Sequence, residues 1–337
     1  MGRYGPRHQN HARASSLQTS LQQFFSVSRL SRTLRLLTAD RAASVGLVVV
    51  LFYIGIALFG PMLAPHNFAQ VVDDPAKCLT RSSGDVRCAA LKNAPPSSAN
   101  PLGTDRNGRD MLSRLLYGGR ETLGLPAVAT FFAVMLGMAL GLYIGYVGGW
   151  PDEILSRLID SLLAIPALIL ALVTLATLAP SLAMIDSPII QSLGSTSIAI
   201  IIVITLLYTP IVARVVRAAT LALRDSGYVE AAKLRGESTA YILFREILPG
   251  VMPALVVEGA LRFSYAIFLV TSLGFLGLGA QPPSPEWGRM VLDARSNYAE
   301  APWTLWTPVA AIAILVIGVN LLSDGLQRVL RGGPDND

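Results

Sequence analysis

Six long apolar stretches follow one another along the chain. They cover residues 44–63, 125–147, 161–179, 198–219, 251–279 and 306–329. About twenty residues of helix, rising about 1.5 Å each, span the roughly 30 Å hydrocarbon core of a bilayer. The pattern therefore predicts an all-α fold, a polytopic membrane bundle of six transmembrane helices. The fifth stretch is long, which favours a tilt or a break near its glycine-rich end.

The first stretch differs from a cleaved secretory signal. More than forty residues precede it, and no clear small-x-small cleavage site accompanies it. We therefore predict a retained transmembrane helix. Upstream, residues 17–37 space apolar side chains among Ser, Gln and Arg. That spacing fits either a helix lying at the cytoplasmic face or a disordered tail.

Basic residues at the ends of the apolar stretches predict the orientation. Before the first span a single acid, Asp40, accompanies Arg3, Arg7, Arg13, Arg29, Arg32, Arg35 and Arg41. Residues 180–197 contain no Lys or Arg, whereas the segment after the fourth span is rich in them. The positive-inside rule then places both termini in the cytoplasm. Loop 64–123 carries eight basic residues, but long loops translocate largely regardless of charge.

This topology predicts the organisation of the chain. The predicted parts are a cytoplasmic tail (1–43), the first span (44–63), an extracytoplasmic loop (64–123), a five-helix core (124–329) with a cytoplasmic loop at 225–250, and a cytoplasmic tail (330–337).

Composition agrees with a membrane protein and argues against nucleic-acid binding. Of the 337 residues, 52% are apolar and 15% are charged, whereas about a quarter are charged in a soluble domain. The net charge of +5 is not gathered into any run of five or six like charges. Its basic residues instead flank apolar stretches, where cations meet lipid headgroups.

The two cysteines lie together in the first outside loop. Nine residues separate Cys78 from Cys88, and Ser82, Ser83 and Gly84 between them suit a turn. In an oxidising compartment this pair is expected to form a disulfide that closes a small loop. A zinc site is disfavoured because the three histidines lie elsewhere in the chain. We predict no metal site.

Motifs for enzymatic chemistry are absent from the sequence. No G-x-x-x-x-G-K-[S/T], H-E-x-x-H or G-x-S-x-G occurs. We therefore predict no catalytic residues and no cofactor bound by this chain. If the protein works with ATP, another chain must supply the nucleotide site.

The cytoplasmic loop after the fourth span has its own pattern. Gly236 separates two helical stretches, because glycine permits a backbone turn that a side chain obstructs. Ser238 is placed to cap the second stretch, and Pro249 to begin the next element. Ala231 and Ala232 offer a small surface for another protein. These residues alone leave an ordinary helical hairpin open as an alternative.

The same loop resembles the EAA loop of bacterial ABC-importer permeases. The matching residues are Glu230, Ala231, Ala232, Gly236, Leu248 and Pro249. The resemblance implies that this loop docks into a groove of a cytoplasmic ATPase. Glu246 departs from the pattern, since relatives often carry a basic residue or histidine there. This departure affects the charge complement of the docking groove.

Further motifs resemble the second (C-type) permease subunit of the dipeptide/oligopeptide branch. The segment 100–110 reads NPLGTDRNGRD, with Asn100 where the branch usually has His. Downstream matches are Gly148, Gly149, Trp150, Arg157, Asp160, Pro166, residues 275–279, Pro282, Trp287 and Gly288. The likeness runs from about residue 38 to 327. The cysteine-bearing loop resembles an insertion, and Val270 is apolar where relatives are often acidic.

The resemblance implies a larger machine in the bacterial inner membrane. This chain would pair with a second permease, above two ATPase subunits that bind ATP and Mg²⁺, and receive solute from an extracytoplasmic binding protein. Peptides are the expected solutes, with glutathione-like compounds and metal chelates as alternatives within the branch. An ion-driven carrier and a membrane scaffold without transport are the rival functions.

Several residues within the spans carry specific expectations. Gly137, Gly141 and Gly145 form one flat helix face, which predicts close packing against a neighbouring helix. Pro166 and Pro210 favour kinks in the third and fourth spans.

One pair of charges lies deep in the fifth span. Glu258 and Arg262 are four residues apart and so share a helix face. Charges at such depth usually face a bundle interior or a water-filled path. We expect the pair to face the translocation route or the sister subunit, with a purely structural ion pair as the alternative.

Overall fold

A computed structural model describes residues 36–38, 40–80 and 86–331 of the chain. The predicted surface helix at 17–37 falls almost wholly outside these ranges. So do the predicted turn at 82–84 and most of the predicted C-terminal tail at 330–337. The helices are α1 (Arg41–Leu63), α2 (Met111–Val147), α3 (Gly149–Leu163), α4 (Ala167–Ala183), α5 (Pro188–Leu193), α6 (Ser195–Leu223), α7 (Gly227–Leu234), α8 (Thr239–Phe275), α9 (Trp287–Ala294) and α10 (Trp303–Arg331). The strands β1 (Asp73–Thr80) and β2 (Val86–Ala90) form an antiparallel hairpin.

Six crossings of a membrane are consistent with this architecture. Helices α1, α2, α6, α8 and α10 are each long and apolar enough to span a bilayer. The pair α3 and α4 has sufficient length and hydropathy when taken together, although its two members meet at 89°. The prediction of an all-α, polytopic membrane bundle is therefore confirmed, with six spans when α3 and α4 are counted as one.

The third span differs from its predicted form. A single kinked helix over 161–179 was expected, but α3 ends at Leu163 and α4 begins only at Ala167. Pro166 explains the break, because proline lacks an N–H group and disfavours helical geometry in the residue before it. Pro210, in contrast, lies inside the uninterrupted helix α6.

Helices α2 and α6 pack along the predicted glycine face. A methyl group added at Gly137 would lie 2.6 Å from Val212 Cβ, and one at Gly141 would lie 2.6 Å from the Ala213 carbonyl oxygen. Both distances are shorter than real Cβ contacts, so only glycine permits this approach. The interpretation of the glycine spacing as a packing face is confirmed.

The first and last helices are joined at one end of the bundle. Asp40 caps α1 by accepting hydrogen bonds from the Ala42 and Ala43 amides at 2.9 and 3.1 Å. Its second oxygen lies 2.7 Å from Arg328 near the end of α10. The Ala43 amide and Arg328 together lower the pKa of Asp40. The start of α1 and the end of α10 therefore lie on the same side.

The opposite end is covered by loop structure. Cys78 and Cys88 face each other across the hairpin and form a disulfide, as predicted. The hairpin base is hydrogen-bonded to the 100–110 segment, with the Val72 amide donating to the Gly108 carbonyl at 2.8 Å. We call the hairpin, segment 100–110 and helix α9 together the outer cap.

Candidate coupling loop and transport site

The loop between α6 and α8 contains two helices separated at Gly236. Helix α7 ends at Leu234, and Gly236 has a φ of +74°, a conformation that favours glycine. Ser238 then caps the next helix by accepting a hydrogen bond from the Tyr241 amide at 3.3 Å. This local arrangement follows the sequence prediction.

The second helix of the loop does not end at Pro249. It continues without interruption as α8 from Thr239 to Phe275, and residues Ile242–Ile247 form a π-helical turn within it. In a regular helix the Pro249 ring would clash with the carbonyl of residue 245. The wider π turn directly before the proline accommodates the ring. The predicted boundary at Pro249 is therefore wrong, and the coupling loop and fifth span share one helix.

The two alanines of the EAA pattern have different surroundings. Ala232 is fully buried with Val229 against Ile242, Ile247 and Val251 of α8. Glu230 and Ala231 are exposed on the opposite side of α7. Ala232 thus packs α7 onto its own chain, whereas the sequence had suggested that both alanines face another protein.

Large apolar side chains remain exposed in the same loop. Leu234 is 84% exposed, and Tyr228 and Phe244 are also exposed. We call Tyr228, Glu230, Ala231, Leu234 and Phe244 the coupling surface. Exposed large apolar side chains of this kind are typical of a protein interaction site.

Leu248 and Pro249, the last two residues of the EAA pattern, are half-buried at the start of the regular part of α8. Leu248 packs against the same apolar cluster that holds Ala232. Leu248 therefore contacts the base of the loop.

Two contacts hold the coupling loop in place. Glu246, the departure from the family pattern, lies 3.5 Å from Arg235. Lys233 lies over the Tyr146 ring of α2 at 5.5 Å. The acidic side chain therefore has a partner inside the chain, across the Gly236 turn.

Glu258 and Arg262 lie on one face of α8, as predicted. Arg262 Nε is 2.8 Å from Glu258 Oε1, and both side chains are largely buried. The guanidinium lies over two aromatic rings, 5.7 Å from the Tyr208 centroid and 4.8 Å from that of Tyr265. Sequence reasoning missed Tyr208 because it belongs to α6, far from α8 in the sequence.

The outer cap contains a buried network of charges. Asp105 Oδ2 accepts hydrogen bonds from Arg109 Nε at 2.8 Å and from Arg114 Nη1 at 2.6 Å. Asp293 of α9 lies 3.7 Å from Arg109 and 3.5 Å from Arg114. Two buried arginines thus face Asp105 and Asp293, and Asp293 also lies 3.1 Å from Arg289. The network binds the 100–110 motif to α9, a structural role that the sequence analysis did not assign.

Glu286 is the second polar anchor of the outer cap. Its carboxylate accepts hydrogen bonds from the Gly288 and Arg289 amides at 2.8 Å each and so caps α9. Burial raises the pKa of this carboxyl to about 7. Glu121, which is hydrogen-bonded to Ser284, adds to the rise. Across the described residues, no group of three His, Cys, Asp or Glu side chains is placed to hold a metal ion.

Comparison with known proteins identifies the family. Residues 137–333 match the family of binding-protein-dependent transport system inner membrane components. Residues 28–96, which include the hairpin, match the N-terminal TM domain of oligopeptide transport permease C.

Relatives match over most of their length. The chain is 35% identical to the dipeptide transport system permease protein DppC of Alkalihalophilus pseudofirmus, covering 91% of each protein. It is 36% identical to the glutathione transport system permease protein GsiD of Pectobacterium atrosepticum, covering 88% of each. It is 34% identical to the di/tripeptide transport system permease protein DppC of Pseudomonas aeruginosa, covering 86% of this chain and 88% of that one.

A solved structure shares the fold. A chain from an inward-facing structure of the MetNI methionine ABC transporter superposes with a TM-score of 0.51 at 23% identity, covering 65% of this chain and 97% of that one. The apolar helices, the family matches and the relatives agree. The chain belongs to the binding-protein-dependent transport permeases of the oligopeptide permease C type, and is a multi-pass inner-membrane permease subunit of an ABC importer.

Proposed function

We propose that this chain forms half of an import path for peptides and couples that path to partner ATPases through the coupling surface. The observation that carries the proposal is the contrast within α7. Val229 and Ala232 are buried against α8, whereas Leu234 is left exposed outside the membrane spans. An ATPase groove that covers Leu234, Tyr228 and Phe244 would remove their apolar surface from water.

The energy source lies in other chains. The sequence contains no phosphate-binding loop, so ATP and Mg²⁺ would bind to two ATPase subunits. When ATP draws those subunits together, α7 moves with them. Because α7 packs on the first turns of α8, that movement would pass to the membrane part of the chain.

The orientation proposed from the charges agrees with the helix connections. The start of α1, the end of α2 and the coupling loop fall on one side when each span crosses once. Tyr146 near the end of α2 contacts Lys233 of α7. We assign this side, with both termini, to the cytoplasm. The outer cap then faces the binding protein.

Peptides are the substrate class that the relatives support best. Two of them are described as dipeptide or di/tripeptide permeases, and one as a glutathione permease. Glutathione is itself a tripeptide with free carboxylates. The family membership argues against the ion-driven carrier and the scaffold without transport.

The test compares Gly236, in the turn after α7, with Gly149, the first residue of α3, at the same end of the bundle. Gly236 and Gly149 both have positive φ, at +74° and +65°, and neither has an atom within 4 Å of an added Cβ. Gly236→Trp adds bulk beside the coupling surface, whereas Gly149→Trp adds the same strain and bulk beside α3. We expect only Gly236→Trp to release or uncouple the ATPase.

The measurement is mild-detergent co-purification of tagged chain, with mass spectrometry and an ATPase assay. An ATPase and a second permease should co-purify with wild-type chain. Equal loss of ATPase from both tryptophan variants would contradict the assignment of the coupling surface. Failure to recover any ATPase from intact membranes would contradict the proposed function.

A further inference from the structure

Helix α3 has the character of a helix at the surface of the membrane. It meets α4 at 89°, and α4 packs along α6 in the apolar core, so α3 lies across the bundle. Trp150 in its first turn is 74% exposed, and Glu153 and Arg157 form an exposed ion pair on it. Indoles favour the membrane interface, and an amphipathic helix of this kind lies in the interface plane. The level of α3 therefore corresponds to the level of the lipid headgroups.

An apolar groove with a volume of about 540 Å³ lies between α2, α3 and α6. On α2 its lining side chains are spaced one helical turn apart, from Phe132 through Leu136 and Leu140 to Ile144. At about 1.5 Å per residue this row is about 18 Å long. One leaflet of a hydrocarbon core about 30 Å thick is about 15 Å deep. The groove therefore has the length of an acyl chain in one leaflet.

The face of α6 that lines the groove changes from apolar to charged along the helix. Ile202, Leu206 and Pro210 line the groove at four-residue spacing. Arg214 is the next residue at that spacing, and side chains four residues apart lie on one helix face. The apolar row on α6 therefore ends at a cation.

Arg214 lines a second cavity, which contains charged groups. This pocket has a volume of about 370 Å³ and is also lined by Arg217 of α6 and by Ser156 and Asp160 of α3. Ile159 of α3 lines both the apolar groove and the charged pocket, so the two cavities adjoin. An apolar space and a charged space thus share one wall at the headgroup level.

The charges in the pocket are paired but keep hydrogen-bonding capacity. Arg217 Nη2 donates to Asp152 at 2.7 Å. Arg214 donates to Asp160, and their side chains are 55% and 64% exposed. A guanidinium has five N–H donors and a carboxylate has two oxygens. The exposed pair therefore offers both a cation and an acid to a ligand, and an exposed ion pair contributes little stability by itself.

A zwitterionic phospholipid complements the groove and the pocket together. Its phosphate can accept hydrogen bonds from Arg214, and a primary ammonium can donate to Asp160. Its acyl chain begins at the same level and would fill the apolar groove. A transmembrane helix of another subunit would match the groove, but charged residues within such helices are rare. The charged pocket at the end of the groove therefore favours a lipid over a helix.

From these observations we propose that the groove and the pocket bind one phospholipid with a primary ammonium headgroup, such as phosphatidylethanolamine. Its phosphate contacts Arg214, its ammonium contacts Asp160, and one acyl chain lies between α2 and α6. The orientation proposed above places this lipid in the cytoplasmic leaflet. The inference goes beyond the proposed function and does not depend on the coupling surface. The bound lipid would fill the space between α3 and the α2–α6 pair.

The first experiment measures which lipid the purified importer retains. The complex with its second permease and ATPases is delipidated in detergent and offered equal amounts of phosphatidylethanolamine and phosphatidylcholine with identical acyl chains. Bound lipid is measured by native mass spectrometry. Only the ethanolamine headgroup has N–H donors, so we expect wild type to prefer it about threefold to tenfold. Equal retention of the two lipids would overturn the proposal.

The second experiment neutralises the exposed pair in the pocket. Arg214→Gln with Asp160→Asn removes both charges and keeps the side-chain sizes similar. The control is Arg157→Gln with Glu153→Gln, an exposed ion pair on α3 that lines neither cavity. We expect the preference for phosphatidylethanolamine to disappear in the first variant and to remain in the control. Its persistence in the first variant, or its loss in both, would overturn the assignment of Arg214 and Asp160.

The third experiment fills the groove without changing a charge. Leu206→Trp places an indole in the groove, and Ile314→Trp at an exposed position of α10 is the control. We expect Leu206→Trp to retain less phosphatidylethanolamine than the control while the second permease still co-purifies. Unchanged lipid retention would overturn the proposal. Loss of the second permease from Leu206→Trp alone would assign the groove to a partner helix and would also overturn it.

Discussion

The outer cap and the coupling loop lie at opposite ends of the bundle and differ in how their charged and apolar side chains are covered. In the outer cap, buried charges face partners within the chain, as Asp105 and Asp293 face Arg109 and Arg114. In the coupling loop, Leu234 projects away from the chain. The charges of the cap are therefore paired mainly within the chain, whereas the loop leaves apolar side chains exposed, which in the proposed function an ATPase covers.

This difference separates two ways in which substitutions can impair transport. A change in the cap should destabilise the chain itself, because it leaves a buried group without its partner. A change on the coupling surface should leave the chain stable and weaken only its association with an ATPase. The stability of the chain and its association with an ATPase can be measured separately, so substitutions in the cap and in the loop can be compared by both measurements.

The largest effect is expected from Asp105→Asn. This change removes the negative charge between Arg109 and Arg114 while keeping the side-chain size. Two buried arginines would then share Asp293 as their acid, and losing the closer partner should cost about 3 kcal/mol of unfolding free energy. Thermal unfolding of the purified chain in detergent would measure the loss. Asp186→Asn, at an exposed aspartate, should leave the unfolding transition unchanged. An equal effect of both substitutions would contradict a stabilising role of the charge network in the cap.

An intermediate effect is expected from pH through Glu286. Its pKa in the folded chain is about 7, above the ordinary value of 4.5. A raised acid pKa means that the folded state binds the proton more tightly, so the stability from this group is complete below pH 4.5 and is lost as pH rises through 7. The loss amounts to a few kcal/mol at most.

Hydrogen exchange of the α9 amides between pH 5 and pH 8, corrected for the intrinsic rate, would detect this dependence. Glu286→Gln keeps an acceptor for the α9 amides but cannot ionise. Protection in this variant should therefore change little with pH. An unchanged pH dependence in the glutamine variant would assign the effect to another group.

The smallest effect on stability is expected from Leu234→Asp. Because Leu234 is exposed, its replacement should change the unfolding free energy by less than about 0.5 kcal/mol. The same change should reduce the amount of co-purified ATPase several-fold. Val229→Asp, three positions into α7 and fully buried, should do the reverse and destabilise the chain first. Normal ATPase recovery with Leu234→Asp would remove Leu234 from the coupling surface.

Much of the fold was predictable from local patterns. Long apolar stretches predicted the spans, and the spacing of Gly137, Gly141 and Gly145 predicted the packing of α2. The cysteine pair predicted the disulfide. Each of these features depends on residues close together in sequence or on hydropathy alone.

The features that sequence missed depend on contacts between distant segments. Pro166 was interpreted as a kink because proline alone does not distinguish a bend from a complete break. The continuation of α8 through Pro249 depends on a π turn, which no residue type in the sequence predicts. Tyr208 and the pairing of Asp293 with Arg114 require knowledge of which helices are neighbours.

The continuity of α8 has a mechanical consequence. From Thr239 to Arg262 the chain forms one rod about 35 Å long, at about 1.5 Å per residue. A continuous helix transmits rotation as well as translation, so a rotation of α7 against the start of α8 would turn the helix face that carries Glu258 and Arg262. A hinge at Pro249 would have absorbed that rotation. Pro249, which the sequence suggested as the start of a new element, therefore lies inside the helix that would transmit the rotation.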